Sequence, residues 1–180
     1  MSIFNFNVND FKRDDRDRFI FSNGHDCGAL YAVMAQIGIF PKHWLKNYCV
    51  SNSHLPMHPC SHMLEQLEFS SGSLGHGLGV ATGICYALKL KKNIAKTFVL
   101  MSDGECNEGS VWESAMYAAA KKLDNLVAIV DNNKLQAVGR TYDTMGNTSL
   151  AKKFEAFGWI SNTINGNNIE EIVNALKKID

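Results

Sequence analysis

Two apolar runs and one loop hold the residues that could do chemistry. The runs TFVLMSD (97–103) and LVAIVDNN (126–133) each stop on polar residues, Ser102-Asp103-Gly104-Glu105 after the first and Asp131-Asn132-Asn133-Lys134 after the second. If both are strands of one parallel sheet, Asp103 and Asn133 share the rim at the carboxyl ends, where such sheets bind ligands. A carboxylate and an amide oxygen are hard donors that suit Mg2+ or Ca2+ better than zinc. Gly104 lets backbone approach a phosphate, and the helix that follows offers free N–H groups to an anion. Either residue alone could merely end a strand or cap a helix. The pair, on successive buried strands, points to a metal-held phosphate.

The loop is HLPMHPCSH (54–62), three histidines and a cysteine in nine residues. Tetrahedral zinc uses such ligands, but Pro56 and Pro59 interrupt them and no CxxC or helical HxxxH spacing occurs. A substrate loop is the better reading. Cys106 follows the acidic cluster without a positioned base, which argues against a nucleophile. Lys134 is expected to face solvent, and Trp44, Trp112 and Trp159 to pack in the core or an interface.

These residues need elements to position them. The helical spacing of ALYAVMAQIGIF (29–40) predicts a helix ending near Gly38. SGSLGHGLGVATGICYALKLKK (71–92) runs a glycine series, Gly72, Gly75, Gly77, Gly79 and Gly83, into an apolar helix. Glycine within a helix costs roughly 1 kcal/mol against alanine, so the series implies close approach by another backbone or a ligand. EGSVWESAMYAAAKKL (108–123) reads as a small-residue helix, GWISNTI (158–164) as a third strand and NIEEIVNALKKI (168–179) as a last helix. Alternating helices and strands give the α/β class. Residues 1–18 are polar and read as an exposed arm before a domain at 19–180, with the charges of 12–18 on a solvated face.

Lys plus Arg and Asp plus Glu number 18 each, so net charge is zero, which argues against nucleic-acid or anionic-membrane partners and mildly favours an oligomer. The five cysteines form no CxxC pair, and MSIFNFNVNDFKRDD turns polar too soon for a secretory leader, so a cytoplasmic protein with reduced thiols is expected. No apolar run approaches the ~20 residues of a membrane span.

Four motifs then stand in order. SDGECNEGSVWE followed by DNNKLQ resembles the thiamine-diphosphate motif GDG…NN, FSNGHDCGALYAV resembles the SKGH segment of transketolases, LPMHP their PGHP segment, and SSGSLGHGLGVATG their TGSLGQGL run. The resemblance covers about residues 18–175 and is to the N-terminal, pyrophosphate-binding domain of transketolase. It implies a parallel-sheet thiamine-diphosphate-binding fold, with helices on both faces in three layers.

The resemblance also implies roles. Asp103, Asn133 and the backbone carbonyl of Leu135 would bind Mg2+ (or Ca2+), which holds the diphosphate. Gly104, Asn133 and His25 would touch the diphosphate, while Gly72 and Leu74 would line the aminopyrimidine. His58 would face the substrate hydroxyls, and Glu108 would link to the partner's cofactor-activating glutamate across a homodimer or heterotetramer. The activity implied is transfer of a two-carbon ketol unit between sugar phosphates, by an N-terminal half working with a separate C-terminal, pyrimidine-binding subunit. The activating glutamate would come from the pyrimidine-binding part, so the chain is expected to be inactive alone; it also looks shortened at both ends against the family pattern. Ser102 replaces the first glycine of GDG and could bond a phosphate; Met57 and His76 replace a glycine and a glutamine. A non-catalytic cofactor-binding module, or a related thiamine enzyme with another donor, stands as the alternative. The alanines of the helix from Glu108 onward, Ala118 and Ala119 among them, are expected at an interface.

Overall fold

The computed structural model describes residues 3–146 and 148–179. Its sheet has three parallel strands, β1 (Arg18–Phe21), β2 (Thr97–Ser102) and β3 (Leu126–Asp131), in the order β1-β2-β3. Parallel strands need long crossovers. The first carries α1 (Cys27–Gln36), the loop with the histidines and α2 (Gly77–Leu90); the second carries α3 (Gly109–Ala120). A small hairpin, β4 (Leu135–Gln136) with β5 (Gly139–Arg140), and the helices α4 (Thr141–Met145), α5 (Leu150–Ala156) and α6 (Ile169–Leu176) follow.

Alternation along the strands sends side chains to opposite faces. Ile20, Val99 and Met101 enter one core with α2, α3 and Phe154 of α5. Phe21 and Leu100 face a second core built on Leu30, Tyr31 and Met34 of α1. Helices therefore cover both faces of an open sheet, giving the three layers expected. The first helix ends as its glycine foretells: Gly38 has φ +87°, and the Ile39 N–H returns to the Met34 carbonyl at 2.9 Å, a Schellman closure.

Three expectations are corrected. The segment 158–164 pairs with no strand: Ile160 is fully exposed, and Trp159 turns back so that its Nε1 donates to the Ala115 carbonyl of α3 at 2.9 Å. That bond and the Trp159 ring against Phe154 (5.4 Å) outweigh the apolar alternation of the segment. The polar arm is docked rather than free. Phe4 packs edge-on against Phe98 at 5.5 Å, Arg16 pairs with Glu68, and the buried Asp17 carboxylate accepts from the Asn5 and Lys96 N–H groups, both at 2.8 Å. Of the charge run, Lys12, Asp14 and Asp15 are exposed. Finally, Ala118 lies in the first core at 2 % exposure, so its smallness serves packing within the chain; Ala119 is half-buried, and Glu113, Met116, Tyr117 and Ala120 are exposed on that helix.

Candidate active site

Pairing of Ser102 with Asp131 brings the ends of β2 and β3 to one rim. Asp103 is 1 % exposed, and its carboxylate is aimed by three donors. Oδ2 accepts from the Lys134 N–H at 3.0 Å and the Thr141 hydroxyl at 2.8 Å, while Oδ1 accepts from the Gly104 N–H at 2.9 Å. Among the described residues none of these partners is a cation. A buried carboxylate is costly without compensation, and neutral donors compensate it only in part. Lys134 takes φ +66°, which turns its N–H toward Asp103, and its side chain is exposed. Asn133 is exposed; its Oδ1 accepts from Leu135 N at 2.8 Å and its Nδ2 donates to Asp131 Oδ2 at 3.0 Å.

This donor set fits a divalent ion with a diphosphate. Asp103 and Asn133 offer hard oxygens with lone pairs to spare, and Leu135 adds a backbone carbonyl. The Gln136 side chain lies over Gly104, where an added Cβ would sit 3.0 Å from its Cγ. Its buried Nε2 has no hydrogen-bond partner among the described residues, an open donor beside Gly104.

The glycine run meets this rim through a second buried carboxylate. Glu105, 0 % exposed, accepts at Oε1 from the Ser22 hydroxyl and from the Gly75 N–H at 2.8 Å. Its Oε2 accepts from the Ser102 N–H at 3.3 Å, while the Glu105 N–H donates to Ser102 Oγ at 3.2 Å. Ser22 Oγ in turn accepts from the Gly77 N–H at 3.1 Å. Gly77 admits no side chain, because a Cβ there would overlap the Ser22 side chain. A Cβ on Gly75 would lie 2.6 Å from Glu108 Cβ. Ser102 Oγ therefore accepts a bond inside the chain, which leaves its O–H free to donate.

The histidine loop is held from below by α1. The buried Tyr31 hydroxyl donates to the Pro56 carbonyl at 3.1 Å, and Cys27 Sγ donates to that of Met57 at 2.6 Å. Burial raises the pKa of both groups above its ordinary value, so they remain protonated donors at neutral pH. His58 packs its ring on Gly72, where an added Cβ would be 3.3 Å from its Cγ. Gly72 has φ +151°, and its N–H lies against Gly24 of the SNGH segment. The other histidines have separate work: His54 stacks on Trp44 at 4.2 Å, and His62 is exposed.

The structure thus gathers His58, Gly72 and the backbone before His25, and separately Asp103, Gly104 and the 133–136 turn, with Glu105 joining the two groups. His25 is exposed, its Nε2 3.5 Å from Asp26 Oδ2. Leu74 is half-buried within the glycine run, and Glu108 lies exposed at the start of α3. Cys106 is 1 % exposed, and burial pushes its thiol up to about 12, so it is no nucleophile at neutral pH. Sequence reasoning missed Thr141, Gln136 and Glu105. Nothing local marks the first two. Glu105 stands in Ser102-x-x-Glu105, the capping-box spacing, which was a readable signal.

A parallel α/β sheet with an acid–amide pair and Gly104 at its carboxyl rim and a glycine run beside it has the form of a diphosphate-cofactor-binding domain. The family described as "Transketolase, thiamine diphosphate binding domain" matches residues 2–180, and the chain belongs to it. It is 43% identical over 177 residues to an apulose-4-phosphate transketolase subunit of Actinobacillus succinogenes, covering 98% of this chain and 64% of that protein. It is 36% identical over 164 residues to a 6-deoxy-6-sulfo-D-fructose transketolase subunit of a Clostridium species, covering 91% of this chain and 60% of that protein. The chain thus spans less than two thirds of the length of these curated relatives. The solved transketolase of Leishmania mexicana superposes with TM-score 0.90 at 27% identity, over 98% of this chain and 28% of that one. The Campylobacter jejuni transketolase gives TM-score 0.88 at 30% identity, over 98% and 29%.

Proposed function

We propose that this chain is the diphosphate-binding subunit of a two-chain transketolase, which transfers a two-carbon ketol unit between sugar phosphates with a pyrimidine-binding partner subunit. The observation that carries this reading is the convergence at one rim of Asp103 with the SNGH, LPMHP and glycine-run segments, through Glu105, Gly72 and Gly24. The names of the relatives, transketolase subunits for apulose 4-phosphate and for 6-deoxy-6-sulfo-D-fructose, support a two-chain arrangement.

Asp103, Asn133 and the Leu135 carbonyl hold Mg2+, with Ca2+ the substitute of similar chemistry. Gly104, Asn133 and His25 bind the diphosphate, and the open Gln136 donor faces it. Thiamine diphosphate, when bound, supplies the carbon nucleophile that attacks a ketose carbonyl. Gly72 and Leu74 form the wall along the aminopyrimidine. His58, steadied on Gly72 and by the Tyr31 and Cys27 bonds beneath it, gives and takes protons at the substrate hydroxyls, for which imidazole is suited near neutral pH. Glu108, exposed at the head of α3, reaches toward the partner's activating glutamate, in a homodimer or heterotetramer. All five cysteines are free thiols, in keeping with a cytoplasmic setting, and no helix among the described residues is long and apolar enough to cross a membrane.

The test combines this chain with its pyrimidine-binding partner, Mg2+ and thiamine diphosphate, and follows ketol transfer from a ketose phosphate to an aldose phosphate. Transfer that needs both chains and both cofactors is expected. A stable complex that transfers nothing between any standard donor and acceptor overturns the reading.

A further inference from the structure

Glu105 has no role in the chemistry above, yet it is the most deeply buried carboxylate of the rim. Three separate segments end on it: β1 through the Ser22 hydroxyl, the glycine run through the Gly75 N–H at 2.8 Å, and β2 through the Ser102 N–H at 3.3 Å. Ser22 extends the chain of bonds to the Gly77 N–H at 3.1 Å, the first residue of α2. Each segment continues within a few residues into a group assigned to the cofactor: Ser22 into His25, Gly75 back to Gly72 and Leu74, Ser102 into Asp103 and Gly104. Among the described residues its partners are N–H and O–H donors of these segments, none of them a cation. A carboxylate has acceptor capacity at both oxygens for such a convergence, and donors left without it in a buried site are strongly destabilising.

We infer that Glu105 is a positioning residue: it holds the ends of β1 and β2 and the glycine run in one register, so that the metal–diphosphate groups and the pyrimidine wall are set relative to each other before the cofactor arrives. This rests on the cofactor reading of the rim given above. The glycines that allow the segments to approach, Gly75 and Gly77, also remove the side chains that would otherwise lock them, so hydrogen bonds to Glu105 take over the work.

The test compares Glu105→Met, which keeps length and volume but removes both acceptors, with Glu105→Gln, which keeps one oxygen for Ser22 and Gly75. Amide hydrogen exchange is read on the full chain without cofactor. Thiamine diphosphate affinity with Mg2+ is read on the chain assembled with its partner. In Glu105→Met the Gly75 and Gly77 amides should lose protection about ten-fold more than the Ala115 and Ala118 amides of α3, and the cofactor Kd should rise about ten-fold. Glu105→Gln should restore affinity to within about three-fold of wild type, since the Oε1 bonds survive. Should Glu105→Met fail to fold, Ser22→Ala removes the Ser22 bond to Glu105 and with it the relay to Gly77, leaves the Gly75 and Ser102 bonds in place, and should speed exchange at Gly77 more than at Gly75. Uniform acceleration across α3 and the glycine run, an unchanged Kd, or a glutamine variant as damaged as the methionine one overturns the inference. A wild-type complex that binds no thiamine diphosphate overturns the functional reading instead, and is recognised because the exchange pattern is measured without cofactor.

Discussion

Substituting alanine at two glycines of the same helix should change stability in opposite directions. A Cβ on Gly77 would overlap the Ser22 hydroxyl and Cβ and stand 3.2 Å from Ser22 Cα. Overpacking of this kind costs roughly 1–3 kcal/mol. Displacing the Ser22 hydroxyl also breaks its bond to a buried carboxylate, a loss of about 1.5–3 kcal/mol. Against this, alanine gains at most about 1 kcal/mol of helix propensity. The net expectation for Gly77→Ala is a loss of about 2–4 kcal/mol, or about 5–15 °C in Tm for a chain of this size. Gly83, further along the helix, would meet nothing within 4 Å. There the propensity gain stands alone, and Gly83→Ala should raise Tm by about 2–4 °C. Thermal and urea unfolding of the isolated chain, at one protein concentration, measure both. Ser22→Gly in the Gly77→Ala background clears the overlap but not the lost hydrogen bond, so a cycle should give a favourable coupling of at least ~1 kcal/mol. A Gly77→Ala variant within about 2 °C of wild type, or a Gly83→Ala variant that loses as much, would refute the close-approach account.

Other outcomes follow from the same geometry. Asp103→Asn keeps an acceptor for Lys134 and Thr141 but loses the charge, so the chain should stay folded by circular dichroism while Mg2+-dependent thiamine diphosphate affinity falls about a hundred-fold by calorimetry, a cost of order 3 kcal/mol. His58→Ala should bind cofactor normally and lose ketol transfer, whereas His54→Ala should lose only its stack on Trp44, about 0.5–1.5 kcal/mol in unfolding and nothing in transfer. Thiol labelling followed by mass spectrometry should reach exposed Cys49 first and Cys106 only on unfolding. Because the folded Cys106 thiol is raised from 9.0 to about 12, its neutral form is favoured in the native state, so its contribution to stability is complete below pH 9 and is lost as pH climbs from 9 to about 12. Unfolding midpoints that stay flat over that alkaline window in wild type, but not in Cys106→Ala, would contradict this.

Much of the site was legible because it lies where periodicity breaks. Strands that stop on Asp103 and on the Asp131–Asn133 turn announce the rim, and the glycine series announces close approach, which holds at Gly72 against Gly24 and at Gly77 against the Ser22 side chain but not at Gly83, which meets nothing within 4 Å. What stayed hidden was decided by partners far away in sequence. Thr141 reaches Asp103 across 38 positions. The arm looked solvated because its charges are local, yet Asp17 answers the N–H of Lys96, 79 residues on. Ala118 read as an interface residue because smallness does not say which neighbour is close; the neighbour is the chain's own core. The segment 158–164 had strand-like alternation, but a ladder also needs a partner, and the bond from Trp159 to Ala115 directs it elsewhere.

The reciprocal bonds between Ser102 and Glu105 have a consequence for engineering. A designer aligning this chain to its motif would restore the usual glycine at position 102, expecting a tighter phosphate turn. Here that edit deletes the hydroxyl that receives the Glu105 N–H at 3.2 Å, and it loosens the backbone from which the Ser102 N–H reaches back. Losing a cap of this type typically costs about 1 kcal/mol. The unit that can be exchanged is therefore the pair at 102 and 105 together, and consensus drawn one column at a time would mistake half of a fitted joint for a blemish.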